Sequence, residues 1–446
     1  MIHITKYLLF ILFATCFIGL HAQKKSKIKK RISIADEQDL YFDDNTIRYE
    51  DHTYVPYIKT VTLHQPHSPI SDNILALYSN EQLILGFDDL QGEIRDYNYT
   101  VIHCSSSWEP SDLMETEFLS GFYDNYISNY NFSFNTLQKF VHYEFTFPNE
   151  DVKLTKSGNY IFYLFEENDQ EKPILTKRFM VTENGITINP RIKPASTVMD
   201  RDYRQEIDFT LIYGATPIIN PISNLKVVLQ QNGRIDNLIT DLKPIFIKDK
   251  ELVYDYDEKN VFDGNNEFRF FDFKSFNYNS INVLDYSKND TTNFIYLKTD
   301  LKRTYKNYYS SSELNGKFVV DCEDGNDPDL DGDYGFVQFR LKYPEQIGGG
   351  DLFIFGALSD WKFKDEYKLI YNNERGFYEA DIYLKQGYYN YQYALLKDNE
   401  TAGIIRFIEG THYETENDYT IYVYYNEPSE RYERLIGVKK FNSLRR

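Results

Sequence analysis

The chain is poor in sulfur and in indole: 446 residues include 3 cysteines, 4 methionines and 2 tryptophans. That scarcity excludes a disulfide-rich scaffold and a module built on paired C-x-x-C zinc ligands. Cys16 falls in an N-terminal leader. Cys104 and Cys322 fall in different units and are expected to be free, buried thiols. Long apolar runs are missing too; none reaches the ~20 residues that a spanning helix needs. H-E-x-x-H, G-x-S-x-G and Walker motifs are absent, so no common hydrolase or nucleotide-binding chemistry is written in the chain, and no motif calls for a cofactor. Positive charge is also short, at 49 Lys and Arg against 68 Asp and Glu, a net charge of −19. A body this acidic repels a phosphate backbone, which argues against nucleic acid as a partner.

What the chain has in quantity is 40 Tyr and 33 Phe. Aromatic rings favour strands, where they pack on a pleated, half-buried surface, and interfaces, where Tyr buries area while keeping a polar tip. An AT-rich genome would enrich the same residues. Residues 1–22 form an expected signal peptide: Lys6 precedes the apolar run 7–18, and Leu20-His21-Ala22 offers a cleavage site before Gln23. The basic cluster Lys24–Arg31 follows at once and resists translocation, so an uncleaved anchor is the competing reading. Arg431, Arg434, Lys439, Lys440, Arg445 and Arg446 close the chain. Both basic ends are expected to be solvated tails, the alternative being that they touch an anionic surface.

Period-two alternation recurs along most of the sequence. In Phe336-Val337-Gln338-Phe339-Arg340-Leu341, Val337, Phe339 and Leu341 share one face and Gln338 and Arg340 the other. Tyr97 to Cys104 and Tyr389 to Tyr393 behave alike. Capped helical patterns are scarce, with one short helix expected around 112–123. The fold class is therefore all-β, as tandem antiparallel β-sandwiches of immunoglobulin or fibronectin type. Turn signals divide the chain into the leader 1–22, a basic segment and linker 23–56, sandwiches at 57–183, 184–330 and 331–427, and a basic tail 428–446. Asn232-Gly233 is an expected turn.

Four features carry candidate chemistry. His103 and Cys104, with His64 and His142 in the same unit, have the side chains of a zinc site. As strand neighbours, however, His103 and Cys104 point to opposite faces and cannot both be ligands. Asp327, Asp329 and Asp331 in Asp327-Pro328-Asp329-Leu330-Asp331-Gly332 match the first half of a calcium loop, but Gln338 stands where a bidentate Glu is needed. A solvated acidic linker is the preferred reading. Asp88-Asp89 would suit acid–base work only if the carboxylates converged; at a strand end they diverge and serve structure. The stretch Gly356–Trp361, followed by Gly387-Tyr388-Tyr389-Asn390-Tyr391-Gln392-Tyr393, resembles the turn and strand of glycogen-binding sandwich modules. Trp361 is the corresponding glycan candidate, with a buried Trp361 closing the sandwich end as the preferred alternative.

A further set of stretches belongs together: Gly86-Phe87-Asp88-Asp89-Leu90, Tyr99-Thr100-Val101-Ile102-His103-Cys104, Trp108-Glu109-Pro110, Ser133-Phe134-Asn135-Thr136-Leu137, Phe147-Pro148-Asn149-Glu150, Ser157-Gly158-Asn159-Tyr160, Asn266-Glu267-Phe268-Arg269 and Leu384-Lys385-Gln386-Gly387. Together they resemble the type IX secretion system plug protein family of Bacteroidota, over roughly residues 57–425. Ser105-Ser106-Ser107 departs from the pattern, in which an acidic residue precedes the tryptophan. The resemblance implies a non-enzymatic periplasmic protein that closes the giant outer-membrane β-barrel translocon when no cargo is engaged. Its partner would be that barrel, and it would not itself span the membrane. The competing readings are an envelope glycan-binding protein using the third sandwich, and a permanent accessory or assembly subunit of the translocon.

Overall fold

The computed structural model describes residues 46–214 and 217–444; the leader, the 24–31 cluster and Arg445 and Arg446 lie outside the described residues. Among the described residues strands dominate, and the four α-helical turns span four residues each. One of them, Glu115–Phe118, falls where the short helix is expected.

In the first sandwich one sheet runs His52–Thr53, Pro173–Thr182, Gly158–Glu166, Tyr97–Cys104, Asn125–Tyr126, with Ile74–Ala76 added in parallel to Pro173–Thr182. It faces a sheet of Ile58–His64, Leu83–Asp89, Val141–Phe147 and Tyr130–Phe132. Phe87, Tyr97, Tyr99, Tyr143, Phe147, Phe162 and Phe179 fill the space between them in stacked and edge-on pairs. The segment expected as a linker to residue 56 is in part structural, because His52 and Thr53 pair with Thr176 and Leu175.

The second sandwich corrects the expected domain boundaries. One sheet is local to the sequence, comprising Thr187–Pro194, Arg204–Ile212, Glu251–Tyr254, Phe246–Lys248 and Val261–Asp263. The other joins Leu225–Gln231 to Asp418–Asn426 and Glu433–Asn442. The chain thus leaves the second sandwich, builds the third, and returns to finish the second. The driving force is burial: Val227, Leu229, Ile421, Val423 and Ile436 are at most 1 % exposed against Ile207, Phe209 and Leu252. The segment 428–446 is therefore no solvated tail over its described part. Arg434 pairs with Glu183 and Glu427, Lys440 with Asp72 and Asp418, and Arg431 with Glu117.

The third sandwich starts well before residue 331. Its continuous sheet runs Arg269–Asp272, Gly387–Lys397, Gly350–Phe355, Lys368–Asn372, Phe377–Lys385, Tyr334–Lys342, Asn293–Leu297, Val283–Lys288. Most neighbours are antiparallel, but Asn293–Leu297 runs parallel to Tyr334–Lys342. The sheet folds around Phe271, Phe339, Tyr389, Tyr391 and Tyr393. Val337, Phe339 and Leu341 are fully buried while Phe336 is exposed, as the alternation requires. Tyrosine is spent largely in cores, and its hydroxyls reach partners at the sandwich ends: Tyr97 donates to Asp89, Tyr143 to the Arg95 carbonyl, Tyr391 and Tyr393 to Asp300.

Candidate functional site: charge-locked joints between the sandwiches

Adjacent residues of a strand face opposite ways, so the pair Asp88-Asp89 serves two places at once. Asp89 turns into the first sandwich and accepts from the Tyr97 hydroxyl (2.8 Å) and the Gln91 amide (2.9 Å). Asp88 turns outward to the third sandwich, where Lys385 Nζ and Tyr334 Oη both donate to Oδ2 at 2.6 Å. Its Oδ1 lies 2.7 Å from His142 Nδ1, and the Lys385 ammonium also sits 4.1 Å from the centre of the Phe140 ring. Gly86, two residues earlier on the same face, makes room for the His142 ring: a Cβ there would lie 3.2 Å from Cε1.

Neither the Asp88 nor the Lys385 side chain is exposed. Burial alone would raise the Asp88 carboxyl, but Lys385 and His142 outweigh it and hold it below its usual value. Burial would lower His142, and the bond to Asp88 reverses that, so its imidazole sits above its ordinary value. An aspartate, a histidine, a lysine and a tyrosine in one cluster have the makings of acid–base chemistry. Its carboxylate and ammonium are buried inside the joint, next to a cleft that Lys385 helps to line. The cluster works as a lock.

A second fastening lies beside it. Lys177 pairs with Asp51 (2.8 Å) and Asp360 (3.1 Å), and Lys362 with Glu50 (3.0 Å). Arg178 donates to the Tyr49 carbonyl and lays its guanidinium 4.2 Å over Trp108. The strap 48–55 thereby ties the first sandwich to the 360–364 loop of the third and lines a cleft of about 1360 Å³, which also touches the second at Ile235 and Asp236. The second and first sandwiches meet through Tyr424, whose hydroxyl donates to Asn159 Oδ1 (2.8 Å), and through Tyr422, Leu435 and Met180. Arg269 and Arg303 hold the fully buried Glu409 at 3.0 and 2.7 Å, bracing the third sandwich.

The remaining candidates take structural places. His103 is buried against Phe118, Tyr160 and Tyr432, and its ring nitrogens lie 2.8 Å from Ser111 Oγ and 3.1 Å from the Ser157 carbonyl. Burial pushes its pKa down to about 4, so the ring is neutral. Cys104 is buried with its thiol pushed up to about 12, and both Cys104 and Cys322 are free. His64 contacts the Gln65 carbonyl and stands apart from the other two histidines. Asp327 and Asp331 are spent on local caps: Asp327 accepts from the Asp329 amide, and Asp331 Oδ2 accepts from the Asn326 and Asp327 amides around the single turn Pro328–Asp331. Trp361 is half-buried, edge-on to Phe268 and Phe355 and close over Gly316 and Gly233, as a wedge between the second and third sandwiches. Among the described residues one acidic trio has metal-site spacing, Glu206, Asp208 and Asp255, and the Lys193 ammonium stands among all three at 2.7–3.5 Å.

Reading the sequence missed the roles of Lys385 and Tyr334. The signal available was a lysine at the end of the alternating strand Phe377–Lys385, beside the aromatic run 387–393.

The class of protein that fold and joints define is a body of three β-sandwiches joined by buried and half-buried ion pairs. Among the described residues no helix is long and apolar enough to cross a membrane. A family model for the Type 9 secretion system plug protein 1st domain matches residues 58–183, which is the first sandwich. A crystal structure of a hypothetical protein from Parabacteroides merdae superposes with a TM-score of 0.86 at 32% identity, covering 89% of this chain and 100% of that one. No curated protein matches. The chain belongs to the type 9 secretion system plug protein family. Membership implies a structural component of that secretion apparatus, located in the cell envelope.

Proposed function

We propose that this chain is the non-enzymatic periplasmic plug that closes the periplasmic opening of the giant outer-membrane β-barrel translocon when no cargo is engaged. The observation that carries the reading is the family match over the first sandwich. The physical character of the body supports it. A plug must stay in one shape under a concentration gradient, and buried ion pairs between sandwiches resist hinge motion because opening them would strand charges in a dry joint. It must also leave when cargo arrives, which favours a partly polar interface of modest net affinity. Against the glycan reading stands the packing of Trp361, which is half-buried and edge-on to Phe268 and Phe355.

The test is affinity isolation from native outer membranes, with and without cargo, together with gene deletion. Recovery of the giant barrel in its cargo-free state only, and a deletion strain leaky to vancomycin at normal translocon levels, are the expected results. Recovery irrespective of cargo would make the chain a permanent subunit. An intact permeability barrier after deletion would refute the closing role.

A further inference from the structure

Exposed apolar side chains are scattered singly over most protein surfaces and need no explanation. At the seam between the first and third sandwiches they gather. Phe134 is 72 % exposed and Leu137 40 % on one side, and Phe336 is 38 % exposed on the other. Phe336 is paired with Phe294 on the neighbouring strand, ring to ring at 6.1 Å, and with Tyr383 at 4.8 Å. The Tyr383 hydroxyl donates to Gln138 Oε1 at 3.1 Å, which ties the two sides of the seam together.

The loop bearing Phe134 and Leu137 is fixed although its side chains are outside. The Phe134 amide donates to the Leu330 carbonyl at 2.9 Å. The Leu137 and Gln138 amides donate to the two oxygens of Asp333 at 2.8 and 3.1 Å, and Asn293 donates to the same carboxylate. A surface already held in place loses little further freedom on binding. Along the same face the patch ends where Gln338 bonds Asp381 at 3.0 Å.

The border beside Leu330 is acidic, while the exposed Lys139 stands on the other side of Leu137. Leu330 lies in a loop carrying Asp321, Glu323, Asp324, Asp327, Asp329 and Asp331. Lys274 answers Asp321 and Glu323, whereas Asp327 and Asp329 are exposed beside the patch, with Asp381 exposed at its far end.

We infer that Phe134, Leu137, Phe294 and Phe336 form the seat on which this protein meets a protein partner offering apolar side chains bordered by Lys or Arg. Resting on the plug reading above, the inference takes that partner to be the periplasmic rim of the translocon barrel. A second copy of this chain is a poorer occupant, because a two-fold contact would bring the acidic borders together. The acidic motif that resembles half a calcium loop then acts as an electrostatic border.

The test uses the purified full chain and the detergent-solubilised, cargo-free barrel, with association and dissociation rates measured separately. Phe134→Ser/Phe336→Ser, confirmed folded by an unchanged melting temperature, is expected to weaken binding about tenfold or more, chiefly through faster dissociation. Asp327→Asn/Asp329→Asn is expected to slow association roughly threefold or more at low salt and little at 0.5 M. Wild-type binding that the Phe double variant leaves unchanged would overturn the seat while the plug reading stands. No binding by the wild type would overturn both. Loss of a wild-type dimer in the Phe variant, or displacement of the barrel by an α-glucan, would assign the surface to a different occupant and overturn the inference as well.

Discussion

The Asp88 carboxylate and the Lys385 ammonium lie 2.6 Å apart with neither side chain exposed, although 297 residues separate them in the chain. A buried pair of this kind adds little over an apolar pair of the same shape, yet removing one member strands the other charge. Asp88→Ala and Lys385→Met are each expected to cost about 3–5 kcal/mol. The double variant Asp88→Leu/Lys385→Met should cost less than the sum. Urea denaturation of all three checks this, and single costs below about 1 kcal/mol would mean that the joint admits water.

A chain stopped at Asn426 loses the strand Glu433–Asn442 and with it the fully buried Leu435 and Ile436. Amide exchange should accelerate throughout 187–263 and 418–426 while 83–104 and 158–182 stay protected. A truncation with an unchanged melting temperature and exchange pattern would return 428–446 to the status of a tail.

Gly316 has φ +82°, and a Cβ there would fall 2.4 Å from the Trp361 ring. Gly316→Ala should therefore destabilise through both backbone strain and displacement of the wedge, by about 2 kcal/mol or more. Trp361→Ala should cost less than the about 3–5 kcal/mol of a fully buried tryptophan, because the ring is half-buried and borders the cleft. Tryptophan fluorescence should not respond to α-glucans; a response lost in Trp361→Ala would revive the glycan reading.

Burial, with Glu267 nearby, pushes the Glu313 carboxyl up to about 8. Between its unfolded value, about 4.3, and 8 the folded chain keeps a proton that the unfolded chain has released. Stability from this group is thus complete below pH 4, falls as pH rises, and levels off above 8, at no more than about 1.4 kcal/mol per pH unit. Glu313→Gln should flatten that decline, measured as the melting temperature of both proteins from pH 5 to 8.5. Parallel curves would show that Glu313 titrates normally.

Faces were legible in the sequence and partners were not. Alternation placed Val337, Phe339 and Leu341 inside and set His103 and Cys104 back to back, because period two is a property of the single strand. The completion of the second sandwich by Asp418–Asn426 and Glu433–Asn442 is a long-range pairing that leaves no local trace. Charged residues carry no local sign of their partners. Lys385 and Lys177 lie inside joints, matched by carboxylates from distant segments. The stretch 327–331 read as a solvated acidic linker or half a calcium loop, whereas Asp327 and Asp331 cap the amides of a proline-started turn. For Trp361 the motif gave a spacing without stating what packs on the ring, so a packed ring and a glycan platform stood side by side.

The return of the chain to its second sandwich has a consequence for how the protein is made. When residue 263 has left the ribosome, the sheet of 187–263 has its hydrophobic face finished and only Leu225–Gln231 to set against it, because the other two strands of the opposing sheet begin at 418. Some 155 residues must still be added (418 minus 263), which takes roughly ten to thirty seconds at ordinary elongation rates. Throughout that interval the nascent chain carries an open half-sandwich, and it remains a client for chaperones until its last strands arrive. Nearly the whole polypeptide must be present before its middle can close, so quality control by the fold extends to the C-terminus.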